Sequence, residues 1–153
     1  MPFLDLLPEE RVRTGLVVRD KSDLIEQMAR LLAGDGDVAG LHAALAARER
    51  LGSTGVGHGV AIPHGRSDAV HEARAAFVHL AKPIDFGASD GQPVDLVATL
   101  IVPAHFTDQH LKLLAELAEM FSNPDVTSAL RAAPDARALR DEVARAKRLG
   151  AVV

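Results

Sequence analysis

The amino-acid sequence predicts an α/β domain with helices on both faces of a small sheet. Three observations lead there. Short apolar, β-branched runs interleave with stretches whose leucines and alanines recur at helical spacing. No linker or internal repeat breaks the 153 residues, so one domain spanning 1–153 is expected. The composition, 48% hydrophobic and 25% charged, is that of a chain that buries a core.

Leu16-Val17-Val18 follows Arg11-Val12-Arg13 and gives an early strand. Asp20 then precedes Lys21-Ser22-Asp23, a helix start, and Leu24, Ile25, Met28, Leu31 and Leu32 recur on one face. Gly34-Asp35-Gly36 ends that helix, and a second, alanine-rich helix covers 38–50 with Leu41 and Leu45 inward. After a glycine-rich stretch, 60–62 reads as a short buried strand. Pro63 ends it, since proline cannot continue a central ladder. Two further strands are expected at 75–80 (AAFVHL) and 94–102 (VDLVATLIV), the second the most apolar and therefore central. Between them, 83–93 is rich in Gly, Asp and Pro and reads as loop. Thr107-Asp108 starts a helix carrying Leu111, Leu114, Leu117 and Ala118. Pro124 and Pro134 stand near the starts of two more, with Leu130, Leu139 and Val143 inward.

Composition narrows the function. The chain has no cysteine, which removes disulfides, thiolate nucleophiles and cysteine metal sites together. A net charge of −4 argues against nucleic-acid binding, which lives on clustered Lys and Arg. Residues 1–10, MPFLDLLPEE, lack the basic head and apolar core of a secretory signal. The longest apolar run, 96–102, is far short of the roughly 20 residues of a spanning helix. A cytoplasmic protein without membrane insertion is expected. With five Phe and neither Tyr nor Trp, the chain has few rings on which a sugar or base could stack.

Residues 52–66, GSTGVGHGVAIPHGR, hold the most unusual pattern: Gly52, Gly55, Gly57 and Gly59 lead into a short apolar run and then Pro63-His64-Gly65. Glycine weakens any regular element. Repeated glycine therefore points to backbone passing close to something: a phosphate, a metal, a partner, or a tight turn. A P-loop needs Gly-Lys-Ser/Thr, yet no lysine lies between Lys21 and Lys82. The dinucleotide fingerprint fails at Val60, where Gly or Ala belongs, and it precedes a strand instead of following one. Ser53 lacks the glycine two residues ahead that a nucleophile elbow requires. A long helix-to-strand turn is the plain alternative.

Of seven histidines, three stand apart. His64 ends the apolar strand, where α/β folds place ligand crevices. His58 lies inside the glycine stretch, and His110 in the first turn of the helix after the central strand. His42 and His71 read as solvated, His79 as a partnered sheet residue, and His105 is unassigned. The spacing matches no metal site, so neither metal nor cofactor is expected. A histidine nucleophile fits better, because neutral imidazole, with an ordinary pKa of about 6.5, is largely unprotonated at neutral pH. Attack on phosphorus would leave a group of roughly −1.5 to −2 charge, which needs donors. The candidates are backbone amides at Gly55, Gly57 and Gly59, a cation from Arg48 or Arg66, and an imidazole from His58 or His110.

Residues 48–66, RERLGSTGVGHGVAIPHGR, resemble the active-site signature of the fructose/mannitol-type enzyme IIA family of the bacterial phosphoenolpyruvate:sugar phosphotransferase system. The similarity continues through 82–103 (KPIDFGASDGQPVDLVATLIVP) and 110–118 (HLKLLAELA), and is greatest to the nitrogen-regulatory branch. The resemblance implies a three-layer α/β/α sandwich with a small mixed sheet, and a phosphocarrier. His64 matches the phosphorylated histidine, which is charged by the histidine phosphocarrier protein. His110 matches the second active-centre histidine, and Arg48 the arginine near the phosphoryl group. Position 58 departs: His stands where the branch often has Asn, and it is read as holding the turn. The phosphorylation state would then control partners such as potassium transporters or sensor kinases, with Phe106 on the apolar rim of the contact surface. Lack of attached IIB or IIC domains favours that role. The alternatives are a fructose- or mannitol-type IIA that passes phosphate to a sugar permease IIB domain, and a binding module that is never phosphorylated. Retention of His64, Arg48 and His110 together weighs against the last.

Overall fold

A computed structural model of the chain describes residues 3–105 and 108–152. Two short 3-10 helices, Phe3–Leu6 and Glu9–Arg11, lead into β1 (Val12–Leu16). Helices α1 (Lys21–Ala33) and α2 (Val38–Leu51) come next, started by Asp20 and Asp37, whose carboxylates accept the Asp23 and Gly40 amides at 2.8 and 2.9 Å. Then follow β2 (Gly55–Gly57), β3 (Val60–Ala61), β4 (His64–Arg66), β5 (Arg74–Ile84) and β6 (Val94–Val102). Helices α3 (Asp108–Phe121), α4 (Pro124–Ala132) and α5 (Ala136–Val152) complete the chain. The sheet is mixed, in the order β1-β5-β6-β3-β2, with β4 also on β6. β6 is antiparallel to β5 and parallel to both β3 and β4.

Alternation along β6 builds two cores. Leu96, Ala98, Leu100 and Val102 pack with Leu113, Leu117, Phe121, Leu130, Leu139 and Val143 of the last three helices. Val97 and Ile101, on the opposite face, pack with Leu24, Met28, Leu32, Leu41 and Leu45 of α1 and α2. A strand apolar on both faces belongs in the middle of a covered sheet. The result is the expected α/β/α sandwich of three layers. No helix among the described residues is long and apolar enough to cross a membrane.

Four local expectations need correction. β1 stops at Leu16 after an irregularity at Gly15 (φ 67°), and Val17 is 75% exposed on the way to the α1 cap. Pro63 interrupts the sheet without ending it, because pairing resumes at β4. β5 runs on to Ile84, and Phe86 and Ala88 in the expected loop are buried. The buried stripe of α3 is His110, Leu113, Leu117 and Phe121, while Leu111 and Ala118 are exposed. Phe106 and Thr107 lie outside the described residues.

Candidate active site

Pro63 has no amide hydrogen to give a neighbouring strand, so pairing along β6 breaks between β3 and β4. The Pro63 carbonyl still accepts the Leu100 amide at 3.0 Å. The Ile62 carbonyl meets the His64 ring, with Nδ1 2.8 Å away. A carbonyl only accepts, so Nδ1 carries the hydrogen, and in the neutral ring the lone pair lies on Nε2. Along β4, His64 and Arg66 share the face of Leu100 and Val102, the side of α3. Gly65 faces α2, where a Cβ would stand 3.1 Å from the Ala44 carbonyl oxygen. The missing side chain is what lets α2 lie on β4.

The first turn of α3 brings in His110. It is 4% exposed, and its ring centroid is 5.1 Å from that of His64. Its Nδ1 is buried with no hydrogen-bond partner among the described residues. Burial, then the nearby His64 and Arg66, push its pKa down to about 4. The His64 pKa is also lowered, chiefly by burial. The bond to Ile62 opposes that shift, Arg48 reinforces it, Glu49 opposes it and Arg66 reinforces it. Both imidazoles are therefore neutral at pH 7. Arg48, in the last turn of α2, donates from Nη1 to the Gly52 carbonyl at 2.9 Å.

The glycine ladder does something else. β2 and β3 form an antiparallel hairpin closed by His58 and Gly59, both at positive φ (57° and 80°), as a mirror-image two-residue turn requires. Its tip is tied down. The His58 amide donates to Asp90 Oδ2 at 2.9 Å, and Arg131 Nη2 donates to the His58 carbonyl at 2.7 Å. Arg131 Nε in turn bonds the Asp95 carboxylate at 3.0 Å, and His79 Nε2 lies 3.2 Å from the same carboxylate. The Gly59 carbonyl takes the Asp95 amide, whereas His64 pairs with Leu100. Five residues of β6 thus separate the turn from His64, about 16 Å at roughly 3.3 Å per residue.

A Cβ at Gly55 would be 2.7 Å from Ala88 Cβ, one at Gly57 3.3 Å from Asp90 Oδ2, and one at Gly59 2.5 Å from Arg131 Nη2. The close approach that these glycines permit is to the 85–95 segment and α4. Gly57, His58 and Gly59 therefore do not surround His64, contrary to the phosphate-cradle expectation, and Gly55 packs on Ala88. His64, His110, Arg48 and Arg66 are the expected site residues whose rings or charges do meet.

Glu49 was not legible. Its run Arg48-Glu49-Arg50 looks like a solvated helix face, yet its side chain is 7% exposed. Lys21 Nζ lies 2.8 Å from Oε2, the Thr54 hydroxyl donates to Oε1, and the Thr54 amide donates to Oε2 at 3.3 Å. Distant Lys21 leaves no pattern beside Glu49 that would announce the pair. Among the described residues, no three His, Asp or Glu side chains gather closely enough to hold a metal ion.

Residues 5–145 match the profile of the family described as phosphoenolpyruvate-dependent sugar phosphotransferase system, EIIA 2. A nitrogen regulatory protein of Pseudomonas aeruginosa is 45% identical over 122 residues, 78% of this chain and 79% of its own. A fructose-specific EIIA component of Haloferax volcanii is 36% identical over 127 residues, 81% of this chain and 82% of its own. The crystal structure of nitrogen regulatory protein IIA-Ntr from Neisseria meningitidis aligns with a TM-score of 0.85 at 37% identity, covering 91% of this chain and 97% of that one.

Proposed function

The chain belongs to the EIIA 2 family of the phosphoenolpyruvate-dependent sugar phosphotransferase system, and from that premise we propose a phosphocarrier of the nitrogen-regulatory type with His64 as acceptor. The observation that carries this is the held tautomer: Nδ1 donates to Ile62, and the Nε2 lone pair is left as nucleophile. That lone pair attacks the phosphorus of a phosphohistidine on the histidine phosphocarrier protein. The new Nε2–P bond forms as the donor N–P bond breaks, and the electron pair departs with the donor imidazole. His64 keeps its Nδ1 hydrogen, and the Ile62 carbonyl steadies the positive character that the ring gains. The phosphoryl oxygens take Arg48 or Arg66 as cation and the His110 ring, whose centroid is 5.1 Å from that of His64, as a further donor.

A group of roughly −1.5 to −2 charge arriving on this face switches protein contacts by repulsion or new pairing. The regulated partners are proteins such as potassium transporters or sensor kinases, met in the cytoplasm by a single IIA domain spanning 1–153. Identity of 45% to a nitrogen regulatory protein, against 36% to a fructose-specific component, favours this over transport. The fructose-specific relative keeps a second reading alive, a IIA that passes phosphate to a sugar permease IIB domain. Incubation with phosphoenolpyruvate and the general phosphotransferase proteins should add one acid-labile, base-stable phosphoryl group. Its persistence in His64→Ala would sink the assignment. Recovery from lysate of a permease IIB domain alone, with onward transfer to it, would decide for the second reading.

A further inference from the structure

We propose that Glu49 is a positioning residue for His64: together with Lys21 and Thr54 it fixes the Ile62 carbonyl that keeps His64 in the tautomer able to accept phosphate. This role presupposes His64 as the acceptor. The contacts form a continuous path. Lys21 Nζ bonds Glu49 at 2.8 Å and the Phe86 carbonyl at 3.1 Å, and stands 4.3 Å over the Phe86 ring. Glu49 spends one oxygen on the Thr54 hydroxyl and the other on Lys21 and the Thr54 amide. The Thr54 carbonyl accepts the Ile62 amide at 3.0 Å, and the Ile62 carbonyl accepts His64 Nδ1 at 2.8 Å.

The segment needs such a hold. β2 is a three-residue edge strand that pairs with β3 alone among the described strands, and Gly52 (φ 154°) and Gly55 flank Ser53-Thr54. Glycine imposes almost no backbone preference, so without a clamp Ser53-Thr54 can rotate, the Ile62 amide loses the Thr54 carbonyl, and the acceptor of Nδ1 is held less firmly. Lys21 answers a second difficulty. A bare carboxylate next to Arg48 would repel the incoming phosphoryl group, and the ion pair offsets that charge. If Glu49 only tied α1, α2 and β2 together, its loss would lower stability and leave the His64 tautomer untouched.

The test reads the two His64 ring nitrogens by 15N NMR in the full chain, together with phosphorylation rate using phosphoenolpyruvate and the general phosphotransferase proteins. In the parent, Nδ1 is protonated and Nε2 is not. Glu49→Ala should show both tautomers and a rate lowered about 10- to 100-fold, the usual effect of losing a partner that orients a reacting ligand. Glu49→Gln, which still accepts from the Thr54 hydroxyl but turns an NH2 toward Lys21 and the Thr54 amide, should restore part of both. Thr54→Val, close in shape and uncharged, should mix the tautomers to a smaller degree, and it decides the matter if Glu49→Ala does not fold. Parent-like nitrogen shifts in Glu49→Ala and Thr54→Val would overturn the proposal. A parent chain that takes no phosphate would count against the proposed function, while the nitrogen shifts judge Glu49 separately.

Discussion

A histidine that accepts phosphate has to stay neutral while cations beside it wait for the product. At His64 these demands agree, because burial and the Arg48 and Arg66 charges all lower its pKa, against the opposing pull of the Ile62 bond and Glu49. The phosphorylation rate should therefore hold level as pH falls to about 6.5 and decline only below that value. Arg48→Gln removes one charge that lowers the pKa, so the decline should begin at higher pH. It also removes a proposed donor to the phosphoryl group, and the loss of such a donor costs about 10²–10³ in rate. Stopped-flow measurement across the pH range checks both. An acid decline in the parent that is already complete at neutral pH would contradict a half-buried, neutral His64.

At the scale of elements, β4 is placed by a missing side chain. Gly65→Ala would put a Cβ 3.1 Å from the Ala44 carbonyl oxygen and 3.3 Å from Ala44 Cβ, so the α2 backbone at Ala44 must give way by a few tenths of an ångström. A loss of about 1–3 kcal/mol in urea is expected for such overpacking. Phosphorylation should slow as well, since Arg48 and Glu49 ride on α2. The central strand predicts the opposite sign at Thr99, which is fully buried with no partner for Oγ1 among the described residues. Thr99→Val should leave stability unchanged or raise it by about 1 kcal/mol, because an unpaired buried hydroxyl is replaced by a methyl group. A clear loss would mean that the hydroxyl is bonded after all. What the sequence made legible follows the same division. α1, α2 and β6 were readable because caps and periodicity are local signals. β2 and β4 were not, because three-residue strands owe their pairing to β3 and β6 and not to their own residues. The α3 stripe was misphased because His110, a polar residue, occupies a buried position in it. His64 stood out through its motif, while Glu49 depends on distant Lys21.

Over the whole molecule, the two ends of the sheet carry different chemistry. Around the hairpin turn, Arg131, Asp95 and Asp90 hold charge against charge and backbone. Around His64, two uncharged rings are shut between β4 and α3, and they make global stability depend on pH. His110 has a folded pKa of about 4 against an ordinary 6.5, so between those values the unfolded chain binds more protons than the folded one. Its stabilising contribution is fully present above about 6.5 and is lost as pH falls through about 4. At about 1.4 kcal/mol per pKa unit, that loss amounts to about 3 kcal/mol for His110. His64, lowered in the same direction, adds to it. The carboxylates with lowered pKa, Asp23 and Asp90, lose their contributions only at lower pH, below the ordinary carboxylate value of 3.8. The interval from about 4.5 to 6.5 therefore belongs to the imidazoles. Urea unfolding across it should show the midpoint falling steadily toward acid in the parent. His110→Gln, which cannot titrate, should flatten most of that slope while remaining folded at pH 7. Equal slopes in the two proteins would locate the acid sensitivity elsewhere and show that the His110 ring is not held neutral by the fold.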